Sequence, residues 1–539
     1  MPHWRVTSKY RSLIVAFAAS TALSGAALAQ SGGNLRIAMP ANQEPASMDG
    51  QIDPYQSTWL FNSFVTDPLV VLDPTGKYVP ALATSWEASP DGKVWTFTLR
   101  DGVTFQDGTK FDAEAVKFNL ERIADPKTAS AQLKNDIGPF TKVEVLDPLT
   151  VRITYDTPWV TLLDAMRRAP LWSPTAAKKY SVAEFQRNLV GTGPFRLTEW
   201  KQNDRLVFTK WDGYGGWNPV QTKKGPVDLD TLTIRFIGEA SVLGNIVKTG
   251  DADIAFALPP SVIDDYKDDK AYTFTSKDQS GTGLQMVMNV RKPPLSDLRV
   301  RQAILYSADQ NAVNDVLFDG YYAKSQGPLN NNHPCYWDGS STMYKTDAKK
   351  AAELLDAAGW KLPAGKPIRE ASGVAGVTDG TPLKIRYNVL HHKEIGEVLQ
   401  QQLRKSGIDL AVEVIPGPVQ IERIRNRDFE LMYERQRSPD PAILDQVWNS
   451  KWDQPGGWAW TGFKDAKLDE TVGKLRSVPD VAARCEAAKE AQKIIMDNAL
   501  MLPTLSDPVF VAFPTAKVKG FQIGSEGNWF FVNNTTVQK

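Results

Sequence analysis

Few side chains in this sequence have the types and spacing of a catalytic apparatus. Beyond the first 29 residues there are three histidines, His333, His391 and His392, and two cysteines, Cys335 and Cys485. No Gly-x-Ser-x-Gly nucleophile turn, His-Glu-x-x-His pair or glycine-rich phosphate loop occurs. His391 and His392 are adjacent, so on a strand or helix they point in two directions and do not make a metal pair. Two widely separated cysteines also lack metal-ligand spacing. The expectation is a protein that is not an enzyme and needs no metal or cofactor. A hydrolase is the rival of another class, and turnover of a chromogenic substrate would reveal it.

Binding chemistry is better represented. In the stretch Phe429 to Arg437, residues Phe429, Leu431, Tyr433, Arg435 and Arg437 share one face of a strand by the period of two. Arg435 and Arg437 are candidate ligand contacts, because a guanidinium clamps a carboxylate or phosphate through two N–H groups and also bonds sugar hydroxyls. The bland alternative pairs them with Glu434 or Asp440 to brace the loop. Trp458 and Trp460 lie among small residues, Gly456-Gly457-Trp458-Ala459-Trp460, where indole faces suit sugar rings, aliphatic tails or cations, or plain packing. Tyr55 and Trp59 are weaker candidates of the same kind.

These side chains need a scaffold, and strand and helix signals alternate along the chain as in a mixed α/β protein. Val94 to Leu99 and Thr150 to Tyr155 read as strands, the latter paired with Val143-Glu144-Val145 across Asp147-Pro148. Val116, Leu120 and Ile123 recur at helical spacing behind Asp112, a candidate N-cap. Helices from Asp347 to Ala358 and Glu397 to Lys405 stop near Gly359 and Gly407, and a strand through Leu410, Val412 and Val414 follows the second. Residues 362–381, rich in Gly, Pro and Thr, read as a long surface loop. Cys485 shares a helical face with Val481, Ala488 and Ile495, while Cys335 lies in a polar loop. A Cys335–Cys485 disulfide and two separate thiols both remain open, since sequence gives no distance.

The N-terminus bears on the compartment. Arg5, Lys9 and Arg11 precede the apolar run Leu13 to Ala19, and Ala27-Leu28-Ala29 before Gln30 has the form of a signal-peptidase site. Residues 1–29 are therefore expected to be a signal peptide cleaved after Ala29, with the protein exported to the periplasm. Ala26 follows Leu23-Ser24-Gly25 where a lipid-bearing cysteine would stand, so no lipid anchor is expected. Without that segment, 59 basic residues face 62 acidic ones, a balance that argues against a nucleic-acid or polybasic membrane partner. About 510 residues exceed what one core holds, and two or three domains follow.

One region is more specific. Thr66-Asp67-Pro68-Leu69-Val70, Tyr78-Val79-Pro80-Ala81-Leu82-Ala83-Thr84-Ser85-Trp86, Asp91 to Val103 and Phe105-Gln106-Asp107-Gly108-Thr109 run on to Phe111-Asp112-Ala113-Glu114-Ala115-Val116. Together they resemble the signature of the family 5 extracellular solute-binding proteins, the dipeptide, oligopeptide and nickel group of importer-associated receptors. Gly191-Thr192-Gly193-Pro194 and Pro294 to Ala303 resemble further blocks of that family, in the same order.

The resemblance implies a type II periplasmic-binding fold with two lobes and an extra domain inserted in the first. The first lobe would comprise residues 30–66, 199–287 and 513–539, the inserted domain 67–198, and the second lobe 288–512. A monomer that delivers its solute to an ABC permease is implied as well. In peptide-binding members an aspartate ahead of a Pro-Asp-Pro loop pairs with the peptide ammonium. Counting back from Ser438-Pro439-Asp440-Pro441, Arg437 falls at that position here, which implies a ligand lacking a free α-ammonium, either acidic, opine-like or an oligosaccharide. An ordinary peptide receptor is the alternative, and a metal chelate or haem would draw on His333, His391 and His392.

Overall fold

Alternation along single strands sets which face each sheet buries. In Thr231–Ile237, Leu232, Ile234 and Phe236 enter the core while Thr231, Thr233 and Arg235 stay half-buried. A computed structural model of the chain describes residues 33–538 other than 54, 74, 75, 131, 455, 456 and 528. The expected signal peptide lies outside the described residues.

The largest sheet has seven strands in the spatial order Tyr272–Asp278, Pro508–Pro514, Ile254–Phe256, Asn34–Pro40, Thr231–Ile237, Arg205–Lys210 and Phe195–Lys201. A second sheet has five, in the order Asp409–Val414, Lys384–Val389, Leu431–Glu434, Leu284–Met288 and Met501–Leu505. Lys384–Val389 runs parallel to both of its neighbours, and helix Lys393–Lys405 joins it to Asp409–Val414.

The chain passes between the two sheets twice. Tyr272–Asp278 leads through residues 279–283 into Leu284–Met288, and Met501–Leu505 leads through Ser506 and Asp507 into Pro508–Pro514. This corrects the expected lobe borders. Residues 284–287 belong with the second sheet, where Gln285 pairs opposite Glu434, and 508–512 belong with the first, where Val509 pairs opposite Lys277. Residues 195–198, expected in the inserted domain, already hydrogen-bond within the seven-stranded sheet.

Between helix Gln56–Val65 and strand Phe195–Lys201 lies a separate four-stranded antiparallel sheet built from residues 83–155. Its two connections to the first sheet lie backbone against backbone. Gly193 N–H donates to Val65 O at 2.8 Å, and a Cβ on Gly191 would sit 2.3 Å from the same oxygen. That close approach explains both glycines of the Gly-Thr-Gly-Pro block.

Asp112 caps helix Ala113–Ala124 through the Ala115 N–H at 3.0 Å, and Gly359 and Gly407 both have positive φ, as C-terminal stops require. The helix ahead of Gly407 begins at Lys393 rather than Glu397. Residues 362–381 are not wholly a surface loop, since Arg369 is buried and donates to Ser406 O and Trp360 O. Cys335 and Cys485 are joined by a disulfide, with Cα atoms 4.7 Å apart. Val481 is 68% exposed, so the apolar face shared with Cys485 consists of Ala488 and Ile495.

Candidate functional site

The strand that carries the arginines is shorter than its alternation suggests. It spans Leu431–Glu434, after which Arg435 and Gln436 leave the ladder and Arg437 rejoins through a single bridge to Gly281. The departure occurs where the strand meets the first crossing. Thr282 N–H donates to Gln436 O at 2.8 Å, and Gln436 N–H donates back to Thr282 Oγ1 at 2.7 Å. Gly281 has φ +125°, and a Cβ there would lie 2.3 Å from Gln436 O. Only glycine lets the two backbones meet so closely.

Both arginines converge on Asp507 of the second crossing. Oδ2 of Asp507 accepts from Arg435 Nη1 at 2.5 Å, Arg437 Nη2 at 3.0 Å and Gln279 Nε2 at 2.6 Å. One carboxylate oxygen thus ties the end of the arginine strand to both crossings. Neither expected bracing partner is used. Glu434 points to the other face of the strand and accepts from Gln285, and Asp440 pairs with Arg484. Burial alone would raise the Asp507 carboxyl, yet Arg435 and Arg437 hold it below the usual range. Arg437 is pushed down to about 10, by burial first and by the like charge of Arg435 second. Burial, which would lower Arg435, is outweighed by Asp507, and its pKa rises.

The surroundings are polar with open valences. The Arg437 Nε and the Tyr433 hydroxyl are buried without a hydrogen-bond partner. Burial raises the Tyr433 phenol, and its ring centroid lies 6.3 Å from that of His392. His391 is held below its ordinary value by burial and then by Arg435. His392 pairs with Glu394. His333 is elsewhere, accepting the Cys335 N–H on Nδ1 at 3.0 Å and pushed down to about 3 by burial. Among the described residues no group of three His, Cys, Asp or Glu side chains is placed to hold a metal ion.

The aromatic candidates have other commitments. Trp460 is buried and donates to Gly457 O, while Trp458 stacks on it with ring centroids 5.3 Å apart. Trp59 is buried, donates to Gly50 O at 2.8 Å and has the Arg168 guanidinium 5.0 Å from its ring centroid. Tyr55 is 61% exposed at the start of the same helix. Packing and these bonds engage Trp59 and Trp460, and among the described residues none of the four side chains is hydrogen-bonded or ring-stacked to Arg435, Arg437 or Asp507.

The inserted segment reaches across to the loop after Arg437. Ser438 Oγ lies 3.5 Å from Asp164 Oδ2, Val160 N–H donates to Arg476 O at 3.1 Å, and Arg476 sits 5.2 Å from the Trp159 ring centroid. Asp164 is buried, which would raise it, but Arg167 and Arg168 hold it down to about 2. Arg167 in turn grips Glu526 through two N–H groups, at 2.5 and 2.7 Å. Asp507, Gln279 and Tyr433 were absent from the sequence candidates. Asp507 did leave a signal: it is the one charged residue in the mostly apolar stretch from Met501 to Phe513.

Two α/β sheets joined by two short crossings, with a charged cluster at the joint, define a two-lobed binding protein of the type II periplasmic class. The chain belongs to the bacterial extracellular solute-binding proteins, family 5, whose middle region matches residues 77–461. It is 28% identical over 469 residues to a nickel-binding periplasmic protein of Escherichia coli K12, covering 82% of this chain and 83% of that one. To a glutathione-binding protein, GsiB, of Shigella flexneri it is 26% identical over 544 residues, covering 97% and 98%. The crystal structure of NikA from Brucella suis in complex with Fe(III)-EDTA superposes with a TM-score of 0.80 at 24% identity, over 94% of this chain and 100% of that one. Members of the family are periplasmic binding proteins that pass peptides or small solutes to an ABC permease, and this chain is such a substrate-binding component of an ABC importer.

Proposed function

We propose that the solute is an acidic or glycosyl compound without a free α-ammonium, such as an opine-like conjugate or an acidic oligosaccharide, and that Arg435 and Arg437 hold it. The observation that carries this reading is the partial use of the two guanidiniums. Each gives Asp507 one N–H, while the Arg437 Nε and the neighbouring Tyr433 hydroxyl are buried without partners. A bound carboxylate completes those bonds, whereas an ammonium is repelled. A ligand seated at the joint touches both lobes only when they close, so its differential affinity shifts the open–closed equilibrium, and the closed form is what the permease receives. Export through a signal peptide cleaved after Ala29, absence of a lipid anchor and a monomeric state belong to the same proposal.

An ordinary di- or oligopeptide receptor is the second reading, favoured by the near full-length match to a protein named as glutathione-binding. The two readings separate in one experiment. The protein is unfolded, freed of carried-over ligand and refolded. Its melting temperature is then followed against free-amine dipeptides, their N-acetylated counterparts, opines, oligosaccharides and a nickel–histidine complex. At about 100 Kd a ligand stabilises by about 2.7 kcal/mol, a shift of a few degrees. The expected responders are the acidic or blocked compounds, with the response lost in Arg437→Ala. A response confined to free-amine dipeptides establishes the peptide receptor instead.

A further inference from the structure

Apart from the two crossings, the inserted segment meets the second lobe at a place through which no chain passes. The segment is fixed to the first lobe, since Gln106 Nε2 donates to Phe195 O of the seven-stranded sheet at 2.6 Å and Gly193 N–H donates to Val65 O at 2.8 Å. Toward the second lobe it presents Trp159 and Val160. The guanidinium of Arg476 lies 5.2 Å from the Trp159 ring centroid and 6.0 Å from that of Trp452. Val160 N–H donates to Arg476 O at 3.1 Å, one of the carbonyls that helix Ala466–Ser477 leaves open at its C-terminal end.

Both halves of this contact are held in place on their own side. Within the inserted segment, Trp159 donates from Nε1 to Asp136 O at 3.1 Å, and its carbonyl accepts from Trp95 Nε1 at 3.0 Å. Within the second lobe, Arg476 Nε donates to Asp445 Oδ2 at 2.7 Å. That carboxylate is fully buried and also accepts from Asn449 and Trp452. Ring and guanidinium therefore lose little freedom on meeting, and their attraction goes to holding the lobes together.

We propose that Arg476 is a positioning residue that latches the lobes: by stacking on Trp159 it stabilises their closed arrangement with no solute bound. When the lobes part about the crossings, Arg476 stays with Asp445 and Trp159 stays with Trp95. Water takes the Arg476 carbonyl and the freed face of the guanidinium. Opening thus costs only the contact between the lobes. A solute of any chemistry binds a form that is already populated, and its apparent affinity scales with that population. The latch is independent of the reading of Arg435 and Arg437.

The test needs no ligand. The mature chain is unfolded without reductant, freed of carried-over solute and refolded. Val182 of the inserted segment and Val481 of the second lobe, 57% and 68% exposed, are replaced by cysteine and spin-labelled. Only the introduced thiols react, because Cys335 and Cys485 are paired. Label-to-label distances are then measured by pulsed electron resonance. In Arg476→Met the ratio of the closed to the open distance population should fall by about tenfold. Trp159→Leu should give the same fall and the double variant no further one, because both substitutions remove one contact. Distributions that coincide in the wild type and Arg476→Met, or losses that multiply in the double variant, overturn the proposal. A residue that only supported its helix would lower the melting temperature and leave the distances unchanged. Should either variant fail to fold, Arg476→Lys carries the test. It keeps a charge beside Asp445 without the planar face, so its closed population should be lower than that of the wild type, and an equal one overturns the proposal.

Discussion

Glu434 and Arg435 are neighbours in sequence and sit on opposite faces of one strand end, with opposite consequences. Arg435 keeps its charge beside Asp507, whereas Glu434 is buried with only Gln285 and Thr282 to bond, and its carboxyl is raised to about 7. Because the folded pKa lies above the unfolded value of about 4.3, Glu434 contributes stability that is full below that value and is lost as pH rises through about 7. Asp67, raised to about 7 by burial, acts in the same direction, while His333, lowered to about 3, acts in the opposite one as pH rises from 3 to 6.5. The contribution of Glu434 is therefore isolated as the difference between wild type and Glu434→Gln. Between pH 5 and pH 8 the stability of the wild type relative to the variant should fall by roughly 2–3 kcal/mol, read from urea denaturation. Parallel curves would show that Glu434 is ionised throughout. At this scale the arginines were legible in the sequence, because a period of two and their chemistry are local properties. Asp507 was not, because its role depends on residues 70 and 72 positions away that only the fold brings to it.

Short elements were read well wherever a single residue type settles the backbone. Asp112 caps its helix, Gly359 and Gly407 end theirs, and the strands Val94–Leu99 and Thr150–Tyr155 fall where alternation places them. The strand through Arg437 was overextended because alternation continues past Glu434, while the ladder is interrupted by Gly281 and Thr282 of the crossing. The tryptophans stayed open between packing and binding for a related reason, since an indole that packs and an indole that binds have the same local sequence.

The disulfide joins two such elements, the loop ahead of Cys335 and helix Val481–Asp497. That loop also clasps the first crossing: Asn330 donates to Gly281 O from its backbone and to Gln279 O from its side chain. The bond closes a loop across a sequence separation of 150, so Cys485→Ser should lower stability by about 2–5 kcal/mol. Amides of residues 279–282 should exchange faster in the same variant. Loss of stability with unchanged exchange there would show that the bridge braces the second lobe without reaching the joint.

For the molecule as a whole, composition and alternation led to two or three α/β domains, and the resemblance supplied their interleaving. The crossings themselves were displaced by several residues. Sheet membership is set by pairing between distant segments, as of Gln285 with Glu434, 149 residues apart, and local periodicity is the same on either side of a crossing. Two glycines that permit backbone contact between distant segments now offer a comparison. Gly281 allows the first crossing to meet the arginine strand, and Gly191 allows the inserted segment to return beside Val65. Both tolerate a Cβ poorly, with the nearest atom at 2.3 Å in each case, so Gly281→Ala and Gly191→Ala should each lower the melting temperature. Gly281 carries the added burden of a positive φ, about 1–3 kcal/mol of backbone strain for a residue with a side chain. Their effects on binding should diverge. Gly281→Ala moves the backbone that positions Arg437 and changes the angle at which the lobes meet, so affinity for the responding ligand should fall together with ligand-induced compaction in X-ray scattering. Gly191→Ala disturbs a junction remote from the arginines and should leave both readouts near the wild-type values. Equal losses in the two variants would mean that affinity follows general stability, and that the joint between the sheets is no more sensitive than any other close contact in the fold.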